Sequence, residues 1–366
     1  MKGECIKDKL KYAVGLAEKV TGKNLSLPIL STVLIEARDS SFVLKATNLD
    51  VGIEYSVPAK IESPGMVAVS GSTLSNLLGA VTGDDVIRLE AINDNLALAT
   101  KRTSTIIKSL PHEDFPIIPR IEGEESFTIS ASVFTDGIRS VWYSASLSDV
   151  KPEIASIYLY QDGGDLVFVA TDSFRLAEKR VPLSGATVSL PILIPYKNAS
   201  DLVRVFENEP GNIEVRLSKN QMAVVSGTVY FTTRLVSGVF PNYRQIMPTA
   251  RKTRAVLEKR DLTGSLKLSS IFADRLNQIT LKIVPADSLF EAESKNQDTG
   301  ENTTLLEGSF EGEEIQIGFN AKYILDSFQS IPEEKIAFDL NGPGKPLVIR
   351  GVRDQSFTYL VMPMNR

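Results

Sequence analysis

The chain repeats one pattern three times, at a spacing of roughly 124 residues. The first landmark is a predicted strand that ends in a small residue followed by Thr or Ser. It occurs at 42–47, at 166–171 and, in a more divergent form, at 289–294. A repeat of this length predicts one supersecondary module used three times rather than a single large core.

Two further landmarks follow the first in every copy. Apolar residues recur at i, i+3, i+4 and i+7 from Leu74, Ala199 and Ala321, which places them on one face of a helix. Apolar and polar residues then alternate over 87–91, 213–217 and 336–340, before a turn and a return strand. Chance does not account for three landmarks in one order at one spacing. The sequence therefore predicts an α+β fold of three tandem helix–sheet modules, with domains at 1–120, 126–248 and 249–366.

Each copy also begins with a predicted helix. In the first copy the helix precedes Gly22, and its apolar stripe consists of Leu10, Ala13, Val14, Ala17 and Val20. The equivalent helices are predicted near 132–148 and near 262–273.

Composition places the chain among globular proteins of a reducing compartment. It is 43% hydrophobic and 23% charged, and it lacks an apolar run long enough to span a bilayer. The charged N-terminal segment does not look like a secretory signal, and a single cysteine excludes an internal disulfide. We therefore expect a cytoplasmic location. The net charge of −5 argues against tight nucleic-acid binding over the whole surface, although a local basic face remains open.

The residues that usually carry catalysis are scarce. His112, the only histidine, lies in a polar turn-like segment, and Cys5 is predicted to be a small packing residue. No phosphate-binding loop, dinucleotide fingerprint, zinc spacing or EF-hand loop occurs in the sequence. The sequence therefore predicts no enzyme activity, no cofactor and no metal. An enzyme built on repeated modules stays open as an alternative class.

Four motifs carry a resemblance to a known family over the whole chain. They are Leu-Pro-Ile-Leu at 27–30, Ala-Thr-Asp-Ser-Phe-Arg-Leu-Ala at 170–177, Phe-Pro-Asn-Tyr at 240–243 and Tyr-Leu-Val-Met-Pro-Met at 359–364. With these motifs the chain resembles the bacterial DNA polymerase III β subunit, the sliding clamp family. The resemblance implies a DNA-clamp fold and a head-to-tail homodimer, closed as a ring of six similar modules with helices lining the hole.

The resemblance also implies function and partners. The ring would encircle duplex DNA without reading its sequence, and it would tether the catalytic subunit of the replicative polymerase so that synthesis is processive. Other expected partners are an ATP-dependent clamp loader and further proteins that carry clamp-binding peptide motifs. The alternative hypothesis is a repeat-module scaffold that binds proteins and does not encircle DNA.

The family's partner site is an apolar cleft for a short linear peptide. The resemblance assigns it to Ile154, Thr171, Ser173, Phe174, Arg175, Leu176, Pro241, Ile246, Pro346, Leu360, Met362, Pro363 and Met364. Apolar and methionine side chains suit the hydrophobic anchors of several peptides, and Arg175 is expected to offer a guanidinium fork at the rim. Without the resemblance, Met362 and Met364 would be interpreted as strand core.

Two further sets of residues follow from the resemblance. Lys23, Lys151 and Lys197 are the DNA-facing candidates, and Ile107 is expected to meet Ile271 and Phe272 across the ring seam. The chain also departs from the family pattern. Gln245 and Asn365 replace basic or polar residues beside the cleft, and Asn24 replaces an arginine that touches DNA in some members.

Overall fold

The structure is a computed structural model that describes residues 1–22, 26–83, 85–122, 125–183, 188 and 191–364. The helices of these residues are α1 Lys7–Val20, α2 Gly71–Ala80, α3 Ala131–Val141, α4 Tyr196–Phe206, α5 Lys259–Ile271 and α6 Ala321–Ser327. The strands from β1 to β13 are Lys2–Ile6, Thr32–Arg38, Ser41–Thr47, Val51–Ser63, Gly65–Ser70, Val86–Ile92, Asn95–Ala99, Ser104–Ile107, Ser109–Leu110, Glu125–Ser130, Ser156–Asp162, Asp165–Thr171 and Arg175–Pro182. The strands from β14 to β26 are Ile192–Pro195, Asn212–Leu217, Gln221–Val225, Val229–Arg234, Thr253–Glu258, Gln278–Val284, Leu289–Asn296, Gly300–Leu305, Gly308–Gly312, Ile315–Asn320, Lys335–Leu340, Leu347–Gly351 and Phe357–Val361.

The first of two compact units comprises the described residues of Met1–Thr135, Ala186–Val188 and Lys197–Leu235. Its described strands form one antiparallel sheet in the order β10-β15-β16-β17-β4-β1-β6-β7-β8, and a branch runs from β4 through β3, β2 and β5 to β9. Helix α1 packs on β3 and β4 and beside α2. All five residues of the predicted α1 stripe are fully buried, which confirms the helix predicted from its 3.6-residue period.

The second compact unit comprises the described residues of Asp136–Gly185, Ser189–Tyr196 and Val236–Arg366. It holds an antiparallel sheet in the order β14-β11-β12-β13-β26-β25-β24-β18-β22 and a smaller sheet in the order β21-β20-β19-β23. Helices α5 and α6 pack against each other, with α5 on β20 and α6 on β23 and β26.

The central copy of the repeat contributes strands to both units. Strands β10, β15, β16 and β17 belong to the sheet of the first unit, whereas β11 to β14 belong to the second. Backbone pairing explains this division, because β17 pairs with β4 of the first copy and β13 pairs with β26 of the third. The threefold repeat and the two compact units therefore divide the chain differently, and the boundaries 1–120, 126–248 and 249–366 stay a proposal.

Helix α3 is shorter than the sequence pattern predicts. It ends at Val141 and a 3-10 turn at Trp142–Ser144 follows it, whereas the apolar pattern extends to about residue 148. Beyond the turn, the Ser146 hydroxyl accepts a hydrogen bond from the backbone N–H of Ser148 at 3.1 Å. Serine side chains that accept hydrogen bonds from nearby backbone N–H groups compete with helix formation. The helical spacing of apolar residues therefore continues beyond Val141, although the helix itself ends there.

Cys5 is a packing residue, as its position in the first copy predicts. It lies in β1, paired between β4 and β6, and its side chain is buried. Burial raises the pKa of the Cys5 thiol to about 12, which keeps it protonated and unreactive at neutral pH.

Gly137 in α3 leaves no room for a side chain. A Cβ built at this position would lie 2.6 Å from the ring of Phe168, which is fully buried and has no free space to move into. We expect Gly137→Ala to lower the free energy of unfolding by about 1–3 kcal/mol, because overpacking displaces a core aromatic ring. Urea denaturation measures the change.

Gly79 in α2 gives the matched control for this substitution. Its built Cβ meets no atom within 4 Å, so Gly79→Ala should leave stability unchanged or raise it by up to about 1 kcal/mol through helix propensity. Equal effects of the two substitutions would contradict the packing argument.

Candidate functional site

A tight turn joins β12 to β13 at the predicted cleft. The Thr171 hydroxyl donates to the carbonyl oxygen of Arg175 at 2.6 Å and accepts from the backbone N–H of Ser173 at 3.1 Å. One carboxylate oxygen of Asp172 accepts from the N–H groups of Phe174 and Arg175 at 2.9 and 3.0 Å. Ser173 takes a left-handed conformation with φ of 79°. These bonds hold Phe174 at the surface, with 62% of the residue exposed.

Arg175 forms ion pairs with two aspartates, and its predicted role as a guanidinium fork at the rim stays a prediction. Its Nε donates to Asp172 Oδ2 at 2.9 Å and its Nη1 donates to Asp326 Oδ2 at 2.6 Å. The guanidinium also lies 4.5 Å from the centroid of the Tyr323 ring, and only 12% of the side chain is exposed. Burial by itself lowers the pKa of Arg175, but Tyr359, Asp326 and Asp172 raise it, so the cation persists. Arg175 therefore fixes the turn to α6.

The C-terminal segment 362–364 is held between this turn and the smaller sheet. Strand β26 pairs with β13, and just beyond it the N–H of Met362 donates to the carbonyl oxygen of Phe174 at 2.8 Å. The N–H of Met364 then donates to the carbonyl oxygen of Gly318 in β23 at 2.9 Å. Backbone bonds fix the segment at both ends, so Met362, Pro363 and Met364 keep partly exposed side chains in a defined place.

The predicted cleft residues separate into a surface group and a buried group. Leu176 and Leu360 are only 1% exposed and belong to a core cluster with Val348 and Tyr243, so their place in the floor of the cleft stays a prediction. Ile154, Thr171 and Pro346 are buried as well. The surface group consists of Ser173, Phe174, Pro241, Ile246, Met362, Pro363 and Met364.

A cavity of about 500 Å³ borders the C-terminal segment. Pro363 and Met364 form one side of it, and the remaining lining residues are Gln278, Thr280, Gln316, Ile317, Gly318, Pro343 and Gly344. Gln278 and Thr280 alternate along β19, while Gln316 and Gly318 alternate along β23, so each pair points to one face. The period-2 pattern indicates such faces in sequence, but nothing in it links them to the C-terminus.

A buried phenol network anchors the segment that carries Pro241 and Ile246. The Tyr243 hydroxyl donates to the carboxylate of Glu178 and lies 2.6 Å from the Tyr160 hydroxyl. Burial and the hydrogen bond to Glu178 raise the pKa of Tyr243, which keeps the hydroxyl protonated as a donor. Through Tyr243, the Phe-Pro-Asn-Tyr motif therefore anchors the segment that carries the exposed Pro241.

Two of the three DNA-facing candidates lie among the described residues. Lys23 lies outside the described residues, as do Asn24 and Asn365. Lys151 is exposed in the turn before β11, and Lys197 is exposed in the first turn of α4. The two lysines belong to different compact units.

The predicted seam residues differ in their exposure. Ile107 is only 5% exposed, because its side chain points into the core from β8, the last strand on its side of the sheet. The adjacent Ile106 points outward and is 61% exposed. At the end of α5, Ile271 is exposed and Phe272 is half-buried. Ile106 is thus the residue of this pair that a partner could contact.

Within the described part of the chain, no group of three or more His, Cys, Asp or Glu side chains is arranged to hold a metal ion. Nor does any helix there have the length and apolar character needed to cross a membrane.

Three domain models of one protein family match nearly the whole chain. The N-terminal domain of the DNA polymerase III beta subunit matches residues 1–119, its central domain 128–242 and its C-terminal domain 244–365. The beta sliding clamp of Synechococcus elongatus is 25% identical over 374 residues, covering 100% of this chain and 99% of the relative.

Solved structures agree in fold. The DNA polymerase III beta subunit of Thermotoga maritima has 25% identity and a TM-score of 0.94, covering 100% of this chain and 99% of that one. The sliding clamp of Pseudomonas aeruginosa bound to griselimycin has 24% identity, a TM-score of 0.95 and full coverage of both chains. Because three domains of one family match in order from residue 1 to residue 365, the chain belongs to the DNA polymerase III beta-subunit family, the sliding clamps.

Proposed function

We propose that the chain forms a head-to-tail homodimeric ring that encircles duplex DNA and tethers a replicative polymerase to it. The observation that carries the proposal is the match of all three clamp domains, in order, to a chain with a threefold helix–sheet repeat. Processivity then arises from topology, so the chain acts as a protein scaffold in the cytoplasm and not as an enzyme.

The charge of the chain suits sliding. With a net charge of −5, the chain as a whole does not attract phosphate strongly, while Lys151 and Lys197 supply local exposed cations. Lysine contacts to phosphate carry no sequence information and weaken with salt, so contacts of this kind do not fix the ring at one position. Lys23 completes the proposed DNA-facing set.

The cleft at the C-terminal segment is the proposed docking site for linear peptide motifs. Its exposed face combines Phe174, Ile246, Met362 and Met364 on backbone that is fixed by hydrogen bonds. Apolar and flexible methionine side chains on a rigid frame accept several different hydrophobic anchors. The catalytic subunit of the polymerase, the ATP-dependent loader and other motif-bearing proteins would share this site.

The proposed ring seam joins β8 of one protomer to the α5 end of its partner. An edge strand offers unpaired backbone groups, and Ile106, Ile271 and Phe272 add apolar side chains beside such groups. The buried side chain of Ile107 packs in the core of its own protomer behind β8 and so holds this edge strand in place.

Topological retention tests the proposal directly. After loading onto nicked circular DNA by a clamp loader, the protein should stay bound through gel filtration in high salt, and it should be lost once the DNA is linearised. Its mass in solution should be twice 40.1 kDa. Equal loss from circular and linear DNA, together with a monomeric mass, would support the protein-binding scaffold instead.

A further inference from the structure

The turn that shapes the predicted cleft occurs a second time in the chain, between β3 and β4. There the Thr47 hydroxyl donates to the carbonyl oxygen of Val51 at 2.8 Å, as Thr171 does to Arg175. Asn48 Oδ1 accepts from the N–H groups of Asp50 and Val51 at 3.0 and 2.8 Å, in the role of Asp172. Leu49 has a φ of 78° against 79° for Ser173. The two turns share one backbone conformation and one set of hydrogen bonds.

The strand beside the turn is repeated as well. Strand β17 pairs with β4 as β26 pairs with β13. The N–H of Arg234 donates to the carbonyl oxygen of Asp50 at 2.9 Å, which is the bond that Met362 makes to Phe174 at 2.8 Å. Arg234 therefore occupies the position of Met362, and the frame of the cleft exists twice in one chain.

A cavity of about 230 Å³ lies at this second frame, which we name the second cradle. Its walls come from the turn, from the segment 116–119 and from the end of β17, and they include Thr47, Leu49, Asp50, Pro116, Ile117 and Arg234. Leu49 is exposed and Ile117 is 94% exposed, so two apolar side chains flank an open cavity.

The side chains of the second cradle differ from those of the cleft in size and charge. Gly52 stands where the cleft has Leu176, and Ile118 lies against it, so close that an added Cβ would be 2.9 Å from Ile118 Cγ2. Arg234 stands where the cleft has Met362, and it forms no ion pair with any described residue within 4.0 Å. The second cradle therefore has Ile118 packed at the position of the Leu176 side chain, and it offers a guanidinium outside any ion pair among the described residues, a group suited to bind a carboxylate.

We propose that the second cradle is a peptide-binding site that takes a short extended segment of a partner protein, with an acidic side chain at Arg234 and an apolar side chain against Leu49 and Ile117. That the ligand is a peptide rests on the proposed function of the cleft, because the two sites share one backbone frame. Asp50 occupies the position equivalent to Phe174, beside the site. Its negative charge disfavours a peptide with several acidic residues and favours one with a single acidic residue.

Photo-crosslinking on the full chain tests the second cradle. The probe is an acetylated peptide with adjacent Asp and Leu residues and a benzophenone amino acid, and mass spectrometry maps its crosslinks. In a Phe174→Ala, Met362→Ala background, we expect crosslinks at the turn 47–52 and at Ile117. Arg234→Gln should reduce them about tenfold, the loss expected for one charge-assisted hydrogen bond. A probe with Asn in place of Asp should show the same loss.

Lys219→Gln is the matched control, since it removes an exposed cation of the same unit at the turn between β15 and β16. It should leave the crosslinks unchanged, and the thermal midpoint of each variant checks folding. Crosslinks that persist in Arg234→Gln, or that never appear in the second cradle, would overturn the inference. Failure of the peptide cleft would appear separately, as an absence of crosslinks near Met362 in the unsubstituted protein.

Discussion

Replacing Arg175 with methionine is expected to lower the free energy of unfolding by about 3 kcal/mol and to weaken peptide binding about tenfold. The substitution keeps an apolar stem but leaves Asp172 and Asp326 without the cation that each contacts at hydrogen-bond distance. These ion pairs are partly buried, and removing one partner costs more than the pair contributes, because the remaining charges stay partly desolvated. The turn that presents Phe174 then loses the Arg175–Asp326 hydrogen bond to α6. Peptide binding must pay the entropy of ordering this turn, which lowers the affinity.

Arg139 provides the matched control for Arg175. It also pairs with an aspartate three residues earlier, Asp136, but both side chains are well exposed. Arg139→Met should therefore change stability by less than about 1 kcal/mol in urea denaturation. The double variant Arg175→Met, Asp326→Asn should recover part of the stability, because it also removes one uncompensated carboxylate. An Arg175→Met protein as stable as Arg139→Met would contradict the structural role of this contact.

The double substitution Phe174→Ala, Met362→Ala should raise the Kd for a polymerase clamp-binding peptide roughly 30-fold or more, with little loss of stability. Phe174 is exposed and Met362 is partly exposed, so truncation removes anchor contacts with the peptide and opens no fully buried cavity. Fluorescence polarisation with a labelled peptide measures the affinity, and urea denaturation shows that the fold is intact.

Two comparison variants sharpen this test. Leu305→Ala truncates a different exposed apolar side chain of the same unit and should leave the peptide Kd unchanged. Leu176→Ala should lower the free energy of unfolding by about 2–5 kcal/mol, because Leu176 lies in the core cluster beneath the turn. If the double variant binds the peptide as tightly as the unsubstituted protein, the proposed cleft is wrong.

The cleft illustrates what a resemblance by motif transfers and what it does not. Two of the segments it named are neighbours in the structure, since the turn at 171–175 and the segment 362–364 meet through a backbone hydrogen bond. It did not distinguish exposed residues from buried ones, and the structure shows that Leu176 and Leu360 are buried. The Thr-Asn and Thr-Asp pairs at the two turns are a local signal that could have indicated Asp172 as the residue that organises the turn.

Other features depend on residues far apart in the chain. Arg175 and Asp326 are 151 positions apart, and no periodicity in either segment indicates that their side chains meet. The same holds for Tyr243 and Glu178, and for the cavity between the C-terminal segment and strands β19 and β23. The exposure of the two candidate seam residues in β8 depends on strand register. Ile106 and Ile107 are adjacent, so which of them faces outward depends on the register of β8 against β7.

The sequence by itself determined the threefold repeat, the helix–sheet character of each copy and the α1 stripe, because these depend on local spacing and on a period of 3.6 or 2 residues. Tertiary structure alone decided how the central copy shares its strands between two sheets, which cleft residues are accessible, and that Arg175 pairs with Asp326. The reason is physical. Local spacing fixes which face of an element is apolar, whereas strand pairing and ion pairing between distant segments fix what that face meets.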